Sequence, residues 1–85
     1  MDIFIIARCL NKINDHNIER NGYLFKINGH FLGKYIKLAS VRSTDKLELG
    51  EDYLVCAQIE ESSQDVIYCS LISAKKISTI KRDFL

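Results

Sequence analysis

The side chains that most often perform acid–base or nucleophilic chemistry are few in this sequence, and their spacing does not bring them together. His16 and His30 lie in or beside predicted turns, where a solvated imidazole is expected. Glu60 and Glu61 are adjacent, so in a strand they point to opposite faces and cannot form a close carboxylate pair. Ser62-Ser63 lies in a predicted turn without a positioned base. The sequence therefore predicts a protein that is not an enzyme.

The three cysteines, Cys9, Cys56 and Cys69, are too few and odd in number for a disulfide framework. If the last hairpin turns at Ser62-Ser63, Cys56 and Cys69 lie directly opposite each other. Opposed Cβ atoms are ~4.5–5.5 Å apart, which is mostly wider than the ~3.8 Å that a disulfide prefers. We expect reduced thiols. Since no CxxC spacing or ligand cluster is present, we expect no metal site and no cofactor.

Charge is distributed unevenly along the chain, although the net charge is only +1. Residues 1–44 carry seven basic and three acidic side chains, and residues 45–65 carry one basic and seven acidic ones. Residues 66–85 are basic again, with four basic side chains against one acidic. This layout could steer a polyanion to one side or orient a protein partner, and it is also compatible with an ordinary mixed surface.

Length and composition predict one globular domain over residues 1–85. Hydrophobic residues make up 47% of the chain and charged residues 27%. No apolar run approaches the ~18 residues of a membrane span. The apolar start begins with an acid and breaks at Arg8, unlike a secretory signal. We expect a cytoplasmic protein with no membrane partner.

Two-residue alternation predicts five strands, over residues 2–13, 23–27, 31–39, 53–59 and 66–72. The first strand starts with apolar residues on both faces, as expected of a strand buried from two sides. Asn28-Gly29 predicts a tight type I′ hairpin between the second and third strands. Gly33 is a candidate bulge in the third strand.

The end of the chain changes its hydrophobic period. Ala74, Ile77, Ile80 and Phe84 recur every three or four residues, which predicts a short amphipathic helix. The barrel is therefore expected to occupy about residues 2–72, followed by an amphipathic segment over residues 73–85.

The order of these elements resembles the OB-fold, a small Greek-key barrel. Leu49 and Gly50 precede an alternating Val55, Ala57 and Ile59, and small and aliphatic residues close the last strand at Ala74 and Ile77. The resemblance implies an all-β, five-stranded OB-like Greek-key barrel with a short C-terminal helix. An SH3-like barrel would show similar alternation, and strand order separates the two.

The resemblance also implies a ligand face on the second and third strands, where OB domains commonly bind oligonucleotides. Alternation is expected to turn Phe25 and Ile27 inward on the second strand, and Leu32, Ile36 and Leu38 inward on the third. Leu24, Lys26 and Asn28 then face outward on the second strand, and Tyr35 and Lys37 on the third. The result is a basic patch with one aromatic ring, formed by Lys26, Tyr35 and Lys37 with Lys34 or Arg42 at its edges. Such a set suits single-stranded nucleic acid, since ammonium groups neutralise phosphates and a ring stacks on a base. The sequence does not distinguish DNA from RNA.

The closing hairpin offers an alternative of another class, because it is apolar on both faces. In the predicted register, Val55, Ala57, Ile59, Val66, Tyr68 and Ile72 share one face. The other face carries Leu54, Cys56, Ile67, Cys69 and Leu71. Only one of them can line the barrel, and the other needs a cover. The C-terminal stripe could provide it, or a second copy or another protein could, which would make the chain a structural or adaptor subunit.

Overall fold

Alternation of buried and exposed residues organises all five strands of the barrel. The computed structural model describes residues 2–13, 21–29 and 36–83. The strands are β1 (Asp2–Ile13), β2 (Gly22–Ile27), β3 (Leu38–Arg42), β4 (Asp52–Ser62) and β5 (Val66–Lys76), followed by a short helix, α1 (Ile77–Asp83). The first strand has the predicted bounds, and β2 begins one residue earlier than predicted.

The strands close into a barrel in the order β1-β2-β3-β5-β4. β3 and β5 pair in parallel, whereas the other four pairings are antiparallel. The chain therefore crosses from β3 to β4 and returns through β5 to lie beside β3. This confirms the predicted all-β, five-stranded OB-like Greek-key class with a short C-terminal helix.

The barrel is filled by inward side chains from every strand. Phe25 is fully buried, and its ring meets that of Tyr53 edge to face, with centroids 6.1 Å apart and an interplanar angle of 86°. Burying one such ring contributes about 1.5–3 kcal/mol. The other buried hydrophobic residues of the described structure are Ile3, Ile5, Ala7, Cys9, Tyr23, Ile27, Ile36, Ala39, Val41, Val55, Ala57, Ile67 and Cys69.

Two buried tyrosines hold the connector between β3 and β4 against the barrel. The Leu47 amide donates to the Tyr23 hydroxyl at 3.0 Å, and the Glu48 amide donates to the Tyr53 hydroxyl at 2.8 Å. These bonds satisfy the polar ends of rings whose bodies lie in the core. The connector is thereby fixed at one end of the barrel without a helix of its own.

The expectation that β1 is buried from two sides is wrong. Its inward residues alternate regularly from Ile3, but Phe4 is 73% exposed and Ile6 is 48% exposed. In a barrel, only one face of each strand meets the core, so apolar residues on the other face remain outside.

The link between β2 and β3 is longer than the predicted tight hairpin. Lys26 pairs with Leu38, and the Ile27 amide donates to the Lys37 carbonyl oxygen at 2.8 Å. Gly29 has a positive φ of 96°, which glycine adopts readily in a turn. The Asn28 amide, however, donates to the Ile6 carbonyl oxygen of β1 at 2.9 Å, so Asn28 is still paired with β1. The third strand of the described structure is therefore Leu38–Arg42, and residues 31–35 of the predicted strand lie outside the described residues. The candidate bulge at Gly33 lies outside the described residues.

The register of the closing hairpin also differs from the prediction. The Ser63 amide donates to the Val66 carbonyl oxygen at 2.9 Å, so the turn lies beyond Ser62-Ser63. Register shifts occur between Cys56 and Ala57 and between Ile59 and Glu61. Cys69 therefore pairs with Ile59, and Cys56 pairs with Ser73, so the expected Cys56–Cys69 opposition is wrong.

The barrel extends beyond the predicted boundary at residue 72. β5 continues to Lys76, so Ala74 packs on the core from a strand, while α1 begins at Ile77. Phe84 lies outside the described residues. Within the described part of the chain, no helix has the length and apolarity that a membrane crossing needs.

Candidate nucleic-acid interface

The outer surface of β2 and β3 presents basic side chains around a small apolar strip. Phe25 and Ile27 are buried, so Lys26 projects outward and is exposed. On β3, Ala39 and Val41 are buried, which leaves the neighbouring residues on the outer side. Leu38 and Ser40 are half-buried there, and Arg42 is exposed.

The parallel pairing of β3 with β5 brings an aromatic ring to this surface. Tyr68 pairs with Ser40, which itself pairs with Leu24 of β2. Because Ile67 and Cys69 are buried, Tyr68 projects outward, and it is 43% exposed. We call the set Leu24, Lys26, Leu38, Ser40, Arg42 and Tyr68 the β2–β3–β5 face.

The sequence pattern places Tyr68 on one of two alternative faces of the closing hairpin and does not assign it to the ligand surface. The alternation of Ile67, Cys69 and Leu71 already contained the signal that Tyr68 points outward. The pattern did not show which strand lies beside β5, because a parallel pairing between β3 and β5 has no local sequence signature.

Arg42 makes the main charge contact of this face. Its Nη2 lies 2.8 Å from Oε1 of Glu60, and both side chains are nearly half exposed. Exposed ion pairs of this kind contribute about 0–1 kcal/mol, so the guanidinium can exchange Glu60 for another anion at little cost.

A second ion pair lies next to Lys26. Arg8 pairs with Lys26 across the β1–β2 ladder, and its Nε and Nη2 donate to the two carboxylate oxygens of Asp52 at 3.0 and 3.3 Å. This side of the face therefore carries a fixed guanidinium whose charge is balanced by its own carboxylate.

An open depression continues the face beyond the end of β3. Its volume is about 710 Å³, and Arg42 lines it together with the hydroxyl residues Ser43 and Thr44. The Asp45 amide donates to the Ser43 Oγ at 2.9 Å, which folds the chain into a turn there. The remaining lining residues are Asn21, Asp45, Leu71 and Ile72. Arg42 therefore lies at the border between the β2–β3–β5 face and the depression.

Three of the five predicted nucleic-acid-binding residues lie in the described structure. Lys26, Lys37 and Arg42 are all exposed, and the pairing of Lys26 with Leu38 brings the first two to the same end of the face. Lys34 and Tyr35 lie outside the described residues, as does Leu32. Of the residues expected to point inward, Ile36 is buried, but Leu38 is not, because it pairs with the outward Lys26.

The five predicted interface residues do not share one face, because the bulges change the register between β4 and β5. Leu54 and Cys56 point outward, and Leu54 is 37% exposed. Ile67 and Cys69 are buried inside the barrel, and Leu71 packs partly against the core. The expected grouping of the opposite face is wrong for the same reason, since Val55 and Ala57 are inward while Tyr68 and Ile72 are exposed.

The cysteines are free thiols in the structure. Burial raises the pKa of the Cys9 thiol, and burial together with the charge of Glu60 raises the pKa of Cys69 to about 11. Both are therefore protonated near neutral pH and unsuited to nucleophilic chemistry. Among the described residues, no three His, Cys, Asp or Glu side chains cluster as metal ligands. His16 and His30 lie outside them.

The fold defines this chain as a small OB-like barrel. Comparison with protein-family models, with curated proteins and with solved structures finds no match for it.

Proposed function

We propose that this protein is a non-catalytic module that binds single-stranded nucleic acid on its β2–β3–β5 face. The observation that carries the proposal is the position of Tyr68, exposed on the outer side of the barrel between Ser40 of β3 and Glu61 of β4, with Arg42 and Lys26 towards the two ends of the face. Small OB-like barrels commonly use the face of their second and third strands for oligonucleotides.

Tyr68 supports base stacking on this face. An exposed aromatic ring on a strand surface can receive an unpaired base, and such stacking contributes about 1–3 kcal/mol per base. Bases in a duplex are already stacked on each other and do not offer their faces to a protein ring. The ring therefore favours single strands over duplexes.

Basic side chains on both sides of the ring support phosphate binding. Arg42 lies two residues beyond Ser40 on β3, which places its Cα roughly 8 Å from that of Tyr68 on the sheet geometry. Lys26 lies at the other end of the face, and the exposed Lys37 lies just beyond it, next to Leu38. A strand of nucleic acid that crosses the face could contact basic groups before and after the stacked base.

The depression next to Arg42 could hold the part of a nucleic-acid strand that extends beyond the sheet. Its lining includes the Arg42 guanidinium and the hydroxyls of Ser43 and Thr44, which donate hydrogen bonds to phosphate and sugar oxygens, alongside the acidic Asp45. These contacts carry no base identity, so we propose binding with little sequence preference.

Titration of a fluorescent oligonucleotide by anisotropy tests the proposal. Tyr68→Ala should weaken binding by roughly 5- to 150-fold, which is the equivalent of about 1–3 kcal/mol. Tyr68→Phe keeps the ring and should bind like the unmodified protein. Three phosphate contacts predict a slope of about −2 for log K against log salt concentration.

Charge reversal adds a matched control. Lys26→Glu should weaken binding strongly, whereas Lys75→Glu should not, since Lys75 pairs with Leu54 on a different side of the barrel. The proposal is wrong if no oligonucleotide binds at low salt, or if Tyr68→Ala and Lys26→Glu both bind normally. Equal affinity for a duplex of the same length would also contradict it.

A further inference from the structure

The outer surface of β1 and β4 carries a contiguous apolar block that the proposed function does not use. Phe4 pairs with Cys56 and Ile6 pairs with Leu54, so the four side chains form two adjacent rows. Phe4 is 73% exposed, Ile6 48% and Leu54 37%. We call these four residues the β1–β4 face.

This face differs from scattered surface hydrophobics in its size and continuity. One phenylalanine side chain alone can bury about 150–250 Å². Contiguous apolar patches of a few hundred Å² on a soluble protein commonly mark a contact with another macromolecule.

The charges at the two ends of the face indicate which macromolecule fits. One end carries Asp2 beside Gln58, and the other carries Arg8 beside Asp52. A two-fold axis that lies between two stacked copies, perpendicular to the strands, exchanges these ends. It places Phe4 over Ile6 of the second copy and Asp2 over the Arg8–Asp52 ion pair of the second copy, so apolar side chains meet apolar ones and the Asp2 carboxylate lies near a guanidinium.

We infer that a second copy of this chain covers the β1–β4 face in a two-fold symmetric dimer, with the two sheets packed face to face. Stacked sheets of this kind align their strands within about 30°. The block is smaller than the roughly 800 Å² per partner of a standard interface. We therefore expect a weak dimer with a micromolar dissociation constant.

The dimer is independent of the proposed nucleic-acid site. In the barrel order β1-β2-β3-β5-β4, the junction of β1 and β4 lies across the barrel from β3. Two copies joined there would present their β2–β3–β5 faces outward on opposite sides. A long strand could then engage both copies, which raises its overall affinity without a new contact.

Sedimentation equilibrium over a wide range of protein concentrations tests the dimer. The mass should rise with concentration from 9.8 kDa towards twice that value. Phe4→Glu should raise the dissociation constant by about 100-fold or more, since it buries an unpaired charge. The matched control is Leu49→Glu, a residue that is 55% exposed in the connector and outside the face. It should leave the dimer intact.

Charge substitution tests the arrangement of the two copies. Asp2→Lys faces the Arg8–Asp52 pair of the second copy and should raise the dissociation constant by a few-fold, because it replaces a carboxylate near the guanidinium with a second cation. Asp65→Lys, in the exposed turn between β4 and β5, should not.

Three outcomes would overturn the inference. The first is a chain that remains monomeric at all concentrations, and the second is a dimer that neither Phe4→Glu nor Asp2→Lys weakens. The third is a Phe4→Glu variant that unfolds, which would show that another part of the same chain covers the face. Binding of a short oligonucleotide by monomeric Phe4→Glu would separate the dimer from the proposed function.

Discussion

The Arg42 guanidinium and the Glu60 carboxylate meet at 2.8 Å across β5, the strand that lies between β3 and β4. The contact places a negative charge against the main phosphate-binding candidate of the β2–β3–β5 face. Glu60 would therefore compete with a nucleic-acid phosphate for the same guanidinium.

Glu60→Gln should strengthen oligonucleotide binding by a few-fold at low salt, because Arg42 no longer gives up an ion pair when it binds phosphate. The free energy of unfolding should change by less than about 1 kcal/mol, since the pair is exposed. Anisotropy titration and urea denaturation measure the two effects.

Glu48→Gln is the control for Glu60→Gln. It removes the same charge from another ion pair, that of Glu48 with Lys76 Nζ at 2.6 Å. If both variants strengthen binding equally, net charge is responsible and Arg42 has no special role.

Gly22→Ala should destabilise the protein by more than about 2 kcal/mol, because a Cβ at Gly22 would collide with the Val41 carbonyl oxygen and lie 2.8 Å from the Arg42 Cα. These are backbone atoms that cannot move aside without separating β2 from β3. Urea denaturation should show the loss.

Gly50→Ala is the matched control, because Gly50 has a φ of 84° but open space where a Cβ would lie. Its cost should be only the backbone strain of roughly 1–2 kcal/mol. A Gly22→Ala variant as stable as Gly50→Ala would show that the β2–β3 contact is looser than the structure indicates.

Tyr53→Phe should cost about 1 kcal/mol of stability, because it removes the acceptor of the Glu48 amide while it keeps the ring contact with Phe25. Amide hydrogen exchange should accelerate at Glu48. Unchanged exchange there would contradict the view that the hydroxyl fixes the connector.

Local patterns predicted the strands and the direction of single side chains. The apolar start of the chain and the polar loop after Ile13 predicted the bounds of β1, and the inward direction expected of Phe25 and Ile27 placed Lys26 outside. Both depend only on residues adjacent in the chain, where the period of two is a direct consequence of strand geometry.

Long-range register was not predictable in the same way. A bulge adds one residue to one strand and so reverses the direction of every side chain that follows, and neither bulge of the β4–β5 hairpin has a clear sequence signal. The parallel pairing that brings Tyr68 beside β3 has no local sequence signal either, so the sequence does not assign Tyr68 to the candidate site. The exposure of Phe4 was missed for a different reason, since the sequence does not say whether an apolar residue meets the core or a partner.

Stability should fall at alkaline pH, because the buried Cys69 thiol has a pKa of about 11 against an ordinary value of 9.0. Below pH 9 the thiol is protonated in both the folded and the unfolded chain, and its contribution to the free energy of unfolding is complete. Between about pH 9 and 11 the unfolded chain loses the proton while the folded chain keeps it, so folding weakens. Two pKa units correspond to at most about 3 kcal/mol.

Urea denaturation at pH 8, 9, 10 and 11 measures this loss. Burial also raises the pKa of Cys9, so Cys69→Ala should reduce the alkaline slope without abolishing it. Cys56→Ala keeps both buried thiols and should keep the full slope. An equal slope in all three proteins would show that other groups cause the alkaline loss and that the Cys69 thiol is not held in a dry core.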